Sequence, residues 1–132
     1  MWVAVIDIDR FKELNDELGH HQGDRFLKRC AVVWRATLRP ADFLARYGGE
    51  EFVLCLPQCG AEEARGVIDR LRAVTPTERT CSAGLAVWDG TESIDSLFAR
   101  ADRGLYEAKE RGRNGTVIAS AVLPRTARER AG

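Results

Sequence analysis

Asp7 and Asp9 close an apolar run over residues 2–6, and Glu50 and Glu51 follow a Gly48-Gly49 pair. Carboxylates gathered at one place repel one another and raise each other's pKa unless a cation lies between them. Oxygen donors alone, from carboxylates and a backbone carbonyl, suit magnesium or manganese, ions that keep open positions for substrate phosphates. The glycine pair lets a backbone approach a ligand with no Cβ in the way. Taken alone, Gly48-Gly49-Glu50-Glu51 is also ordinary hairpin chemistry with solvated acids. An acidic strand end beside it turns the balance toward a site.

The elements that must position these acids follow from hydrophobic spacing. Residues 2–6 are continuous and rich in β-branched side chains, the pattern of a central strand buried on both faces. Phe11, Leu14 and Leu18 predict a short helix ended by Gly19. Leu27, Ala31, Trp34 and Leu38 predict a second helix that opens near Asp24 and stops before Pro40. Residues 43–47 and 52–56 read as the two arms of a hairpin across the glycine turn. Ala61, Ala64, Ile68 and Leu71 mark a third helix, and residues 80–87 a fourth strand. Leu97, Ala101, Leu105 and Ala108 mark a fourth helix, capped by Ser93 and stopped at Gly112, before a weak strand over 116–119.

The order βααββαβαβ predicts an α+β fold, a ferredoxin-like or palm-type, antiparallel-rich central sheet flanked by helices. In that arrangement the strand order is 4-1-3-2, so the end of the first strand meets the start of the third. Asp7 and Asp9 are then expected to face Glu50 and Glu51 across one sheet edge. The domain is expected over residues 1–120, with 121–132 a frayed tail.

Composition narrows the function. The 132 residues are 45% hydrophobic and 30% charged, too apolar for a disordered chain and enough for one core. No segment approaches the ~20 apolar residues of a membrane span. Twenty basic residues balance twenty acidic ones, which removes the bulk attraction of non-specific nucleic-acid binding, so phosphate affinity must be local. Cys30, Cys55, Cys59 and Cys81 form no C-x-x-C pair, and the two histidines, His20 and His21, are adjacent, so zinc is not expected. Cys30 in a helical apolar face and Cys55 and Cys81 in strand-like runs read as buried free thiols. With no signal-peptide pattern, the expectation is a cytoplasmic protein.

Several further motifs stand in series with the acids. They are Asp7-Ile8-Asp9-Arg10-Phe11-Lys12, Asn15-Asp16 with Gly19-His20 and Gly23-Asp24, Arg46-Tyr47-Gly48-Gly49-Glu50-Glu51-Phe52, and Lys109 with Gly112-Arg113-Asn114. From about Val3 to about Ile118, this series resembles that of GGDEF domains, the diguanylate cyclases. The resemblance implies condensation of two GTP into cyclic di-GMP with release of two pyrophosphates. It implies that Asp7, the carbonyl of Ile8, and Glu50 hold Mg2+ or Mn2+. Glu51 matches the other acid of the signature, a general base or a group supporting the ligands. Base and ligand are not separable between Glu50 and Glu51 at this level.

Asn15 and Asp24 match the guanine-reading positions, and a carboxylate does accept from the N1 and N2 hydrogens that guanine presents together. His20, expected in the loop between them, either touches the nucleotide or caps the turn. Lys12, Lys109 and Arg113 match phosphate contacts, and two of only three lysines fall there. Lys12 and Lys109 also read as solvated helix residues. Gly48 and Gly49 belong to the substrate turn. Arg39-Pro40-Ala41-Asp42 matches the R-x-x-D through which the family binds its product as an inhibitor, with Arg70 at an assisting position. At ~3.3 Å per strand residue, Asp42 lies roughly 20 Å from the turn, too far for catalysis.

The family's usual opening helix and D-x-L-T-x-L-x-N-R segment do not precede the first strand here, and the stretch 75–80 is short. These departures imply a shortened or stand-alone catalytic domain. The resemblance also implies a homodimer, because the 3'-hydroxyl of one GTP must meet the α-phosphate of the other across two domains, and an upstream sensor or dimerisation module. The alternatives are a catalytically weak receptor for GTP or cyclic di-GMP, and a related cyclase for another nucleotide.

Overall fold

Seven consecutive buried residues form the central strand β1, Trp2–Ile8. Side chains alternate across a strand. Trp2, Ala4, Ile6 and Ile8 enter one core, while Val3 and Val5 enter another. The computed structural model describes residues 1–120. After β1 come α1 (Phe11–Leu18), α2 (His20–Thr37), β2 (Phe43–Arg46), β3 (Glu51–Leu56) and α3 (Ala61–Val74). β4 (Cys81–Val87), α4 (Ile94–Glu110) and β5 (Thr116–Ile118) complete the described residues.

The fold is α+β, as the pattern predicts. The sheet order is β2-β3-β1-β4-β5, with β1 antiparallel to both β3 and β4, and β5 parallel to β4. Read from the β4 side, its first four strands are the expected 4-1-3-2. The larger core fills the space beneath α1, α2 and α3, and the smaller one lies under α4. Trp34 of α2 ties that first layer together. Its ring meets Phe52 edge-on at 4.9 Å, and its Nε1 donates to the Leu71 carbonyl at 3.1 Å and to Thr75 Oγ1 at 2.9 Å. Phe52 directly follows Glu51, so this packing anchors the strand that carries the acids.

Several boundaries differ from the sequence expectation, those of β3, β4 and β5 by one residue each. β1 runs through Asp7 to Ile8 because Asp7 keeps its ladder partners on both neighbours, Glu51 and Ser82. α2 opens at His20, with Gly19 at φ 86 as the whole connection from α1, although His20-His21-Gln22 carries no apolar signal. β2 stops at Arg46 and Tyr47 joins the turn. Ser93 does cap α4, accepting from the Ser96 amide at 3.1 Å. The expected frayed tail, 121–132, lies outside the described residues.

All four cysteines are free. Cys30 and Cys81 are fully enclosed, and burial pushes their thiols up to about 12 and about 11. Cys55 is half-buried, contrary to expectation, because its side chain lies on the α4 side of β3, where one helix covers a whole sheet face. Ellman's reagent at pH 8 should therefore label Cys55 and Cys59 in the native protein and spare Cys30 and Cys81 until denaturant is added. Labelling of all four at one rate would contradict this packing.

Candidate active site

The strand register sets Asp7 directly opposite Glu51. Both side chains fall on the α4 face, where Lys109 Nζ contacts Asp7 Oδ2. Asp7 is only 5% exposed, and its second oxygen, Oδ1, is buried with no hydrogen-bond partner among the described residues. Burial raises the Asp7 pKa. Lys109 opposes this, and Glu50 and Asp9 add to it. Glu51 is also raised, first by burial, then by Asp7 and Asp102.

The turn that presents the acids is tight. Gly48 and Gly49 have φ of 64° and 37°, values that L side chains rarely adopt, and the Glu51 amide donates to the Gly48 carbonyl at 2.9 Å. Arg10, between β1 and α1, also sits in the left-handed region at φ 55. A non-glycine residue there is held by its surroundings, as at many functional sites.

An unpartnered, buried carboxylate oxygen with other acids in electrostatic reach fits a hard divalent cation. Among the described residues no three acidic, histidine or cysteine side chains are gathered closely enough to hold an ion by themselves. Two carboxylates plus the Ile8 carbonyl is a set that such a trio does not describe.

Beside the acids, on the α1–α2 side, lies a cleft of about 560 Å³ lined by Phe11, Lys12, Asn15, His20, Asp24, Leu27, Arg46, Gly49 and Glu50. It brings together Lys12, Asn15, His20, Asp24, Gly49 and Glu50, all candidates from sequence. The two signature acids therefore part: Glu50 forms a wall of this cleft, and Glu51 faces Asp7 across the sheet end. Asn15 fits because residue 23 is glycine. A Cβ there would lie 1.7 Å from Asn15 Oδ1, an oxygen that is itself buried without a partner.

Asp24 is flanked by Lys28 at 3.1 Å and Arg46 at 3.4 Å, and Lys28 first, then Arg46, hold its carboxyl below the usual range. It therefore stays an acceptor. Arg46 also donates to the Gly49 carbonyl at 2.8 Å, which links Asp24 to the turn. Sequence reasoning missed this arginine as a site residue, although it stands two residues before Gly48.

Three expectations are corrected here. Asp9 does not face Glu50 and Glu51. Its Oδ1 accepts from Ser82 Oγ at 2.7 Å, and its Oδ2 from Thr80 Oγ1 at 2.7 Å and the Asn114 amide at 3.0 Å. Hydroxyl and amide donors on the β4 side hold it better than a fourth carboxylate would. His20 is not in a loop but at the first turn of α2, exposed at the cleft rim. Lys109 is not a solvated helix residue, since it is half-buried and engaged by Asp7. Lys12 and Arg113 are exposed, and Arg113 has φ 65 in the α4–β5 loop.

Arg39 and Asp42 lie at the far end of β2 from the turn, as expected. They close on each other: Arg39 donates to Asp42 from Nε, Nη2 and its own amide, with Nη2 at 2.7 Å. Nη2 also reaches the Pro57 carbonyl at 2.9 Å, and Nη1 lies 3.5 Å from Glu63. The structure does not bring Arg70 into this group, since its guanidinium lies back along α3 toward Gly66.

Charge in the acid cluster should register in stability. A carboxyl whose pKa is raised on folding adds stability below its unfolded pKa and loses it as pH rises through the folded one. Glu51→Gln should therefore raise the thermal midpoint of the metal-free protein at pH 7.5, and the gain should shrink toward pH 4.5. A gain that grows on acidification would contradict the cause assigned to the shift.

Residues 1–115 match the family model described as "Diguanylate cyclase, GGDEF domain". Diguanylate cyclase DgcP of Pseudomonas aeruginosa is 45% identical over 89% of this chain, and DgcM of Escherichia coli 41% over 89%. The chain spans only 19% and 30% of these two relatives. Among solved structures, the GGDEF domain of DgcB from Caulobacter crescentus in complex with c-di-GMP superposes with TM-score 0.83 at 34% identity. That match covers 91% of this chain and 78% of the other. The active GGEEF domain of a diguanylate cyclase from Vibrio cholerae superposes with TM-score 0.82 at 30% identity, over 92% and 83%. A model match over almost the whole described chain, at these identities and on the same fold, makes this protein a member of the diguanylate cyclase GGDEF domain family.

Proposed function

We propose that residues 1–120 form a catalytic domain that condenses two GTP into cyclic di-GMP, with two copies of the domain facing each other. The observation that carries this is the single cleft in which Asn15 and Asp24, suited to guanine, share a wall with Glu50, while Asp7 lies in electrostatic reach of that acid. In each half-reaction the 3'-oxygen of one GTP forms a bond to the α-phosphorus of the other. The α–β bridge breaks and pyrophosphate leaves with the electron pair.

GGDEF cyclases depend on a divalent metal. Asp7, the Ile8 carbonyl and Glu50 would hold Mg2+ or Mn2+, which when bound supplies Lewis-acid stabilisation of charge on the phosphate oxygens. Glu51, with its raised pKa, is assigned to accept the proton of the 3'-hydroxyl. Lys12 and Arg113 receive phosphate oxygens, and Lys109 joins them by turning from Asp7. Asp24 accepts from guanine N1 and N2, Asn15 offers its carboxamide, and His20 closes the rim.

Product regulates the domain through Arg39 and Asp42 when cyclic di-GMP replaces the internal fork between them, with Arg70 swinging out from α3 to assist. A neighbouring sensor or dimerisation module raises the effective concentration of the two half-sites. The expected compartment is the cytoplasm, where GTP is available, and among the described residues no helix is long and apolar enough to cross a membrane.

The test is incubation of concentrated protein with GTP and magnesium, chromatography of the products, and a Glu50→Ala, Glu51→Ala control. Cyclic di-GMP from the parent alone is expected; no product at any protein concentration would overturn the proposal. Asp24→Asn should narrow the preference for GTP over ATP by at least about tenfold, because the paired donors of guanine lose their charged acceptor. An unchanged preference would remove Asp24 from base reading.

A further inference from the structure

Asp9 sits in the acidic motif, yet the proposed chemistry does not use it. It is 3% exposed, and three donors saturate it from two separate elements. Two are hydroxyls, Thr80 and Ser82, at the head of β4. The third is the Asn114 backbone amide, in the loop between α4 and β5. That loop runs through consecutive left-handed residues, Gly112 at φ 110, Arg113 at φ 65 and Asn114 at φ 46. For two non-glycine residues in a row this conformation is costly and must be imposed by its surroundings.

Arg72 of α3 grips the same residue from the other side. Its Nη1 donates to the Asn114 carbonyl at 2.9 Å and to Asn114 Oδ1 at 3.0 Å. Asn114 is thus held at its amide, its carbonyl and its side chain by one buried anion and one cation. The residue immediately before it, Arg113, is exposed, and its guanidinium is unpaired among the described residues. Fixing the backbone at 114 fixes the direction in which Arg113 leaves it.

We infer that Asp9 is a positioning residue: with Arg72 it clamps the α4–β5 loop in its left-handed form and so aims Arg113 at the triphosphate. The inference rests on the assignment of Arg113 to phosphate. It also explains why an acid two residues beyond Asp7 is kept out of the metal cluster, since its charge is spent on the loop that carries the counter-charge for substrate.

The experiment uses the full chain and two probes, guanosine and α,β-methylene-GTP, whose α–β bridge does not break. Asp9→Asn should weaken the triphosphate analogue about tenfold, the scale of one hydrogen bond to a charged group, and leave guanosine unchanged. In an Arg113→Ala background the same substitution should have no further effect on the analogue. Equal losses for both probes, or full additivity with Arg113→Ala, would overturn the inference.

Arg72→Met, at a partly exposed position, supplies the second arm should Asp9→Asn fail to fold. It is expected to show the same phosphate-specific loss, and a loss shared with guanosine would count against the clamp. Amide hydrogen exchange at Asn114, read without ligand, should quicken in either variant and not at Gly84 in β4. If the parent binds neither probe, the cyclase assignment fails, while unchanged exchange at Asn114 would sink the clamp by itself.

Discussion

Glu50→Gln should lower the rate of cyclic di-GMP formation by about 10³-fold or more, the equivalent of ~4 kcal/mol of transition-state stabilisation, without moving the thermal midpoint by more than a degree or so. The glutamine keeps the shape of the cleft wall. It removes the negative charge that, with Asp7, would hold the cation against the phosphates. Glu50 is only partly buried and belongs to the turn rather than to β3, so its substitution leaves the β1–β3 ladder intact. Turnover by steady-state chromatography, set against circular-dichroism melting, makes the comparison. Activity within tenfold of the parent would move the metal-holding role to Glu51, the neighbour that faces Asp7.

The contrast between those two neighbours was not legible in the sequence. Successive residues at a strand start point to opposite sides, but which side carries the nucleotide depends on what packs on each. Only the fold places α1 and α2 beside Glu50 and α4 beside Glu51. The strand order itself was legible, because a continuous apolar run, a glycine-centred hairpin and alternating helices leave few topologies open. The Asp7–Glu51 pairing followed from it.

Asp9 shows the limit of local patterns. Its partners Ser82 and Asn114 are 73 and 105 residues away, and small hydroxyls and a backbone amide announce nothing in a sequence. Lys109 and Asp7, 102 residues apart, were each legible as site residues, but their engagement with one another was not. Likewise, α2 gained its first turn from the geometry at Gly19 and not from any apolar periodicity. What sequence missed is polar contact and backbone geometry set by tertiary placement, whereas what it caught is periodic and apolar.

That placement of α4 can be tested through one missing methyl group. Gly84→Ala should destabilise the domain by about 3 kcal/mol, the upper part of the range for forcing extra atoms into a packed core. A Cβ at Gly84 would lie 1.9 Å from the Ala101 carbonyl oxygen and 2.1 Å from the Leu105 amide nitrogen, both helix backbone that cannot rotate aside. Gly104 faces the same seam, where an added Cβ would meet Gly84 Cα at 3.1 Å. α4 therefore rests on β4 backbone to backbone, and this close seat brings Lys109 onto Asp7. Gly66→Ala on α3 is the matched control. Its Cβ would meet only Arg70 Nη1 at 3.6 Å, so removing glycine from a helix should there stabilise by about 0.5–1 kcal/mol.

Urea unfolding of both variants reads the two signs, and a Gly84→Ala midpoint equal to the parent's would contradict the close seat. Lys109→Met separates the site from the seat. Both Gly84→Ala and Lys109→Met should weaken nucleotide binding. The lysine variant does so by removing one charge and unpairing the buried Asp7 carboxylate, so its loss of stability should shrink on acidification as Asp7 protonates, whereas the steric loss in Gly84→Ala should not.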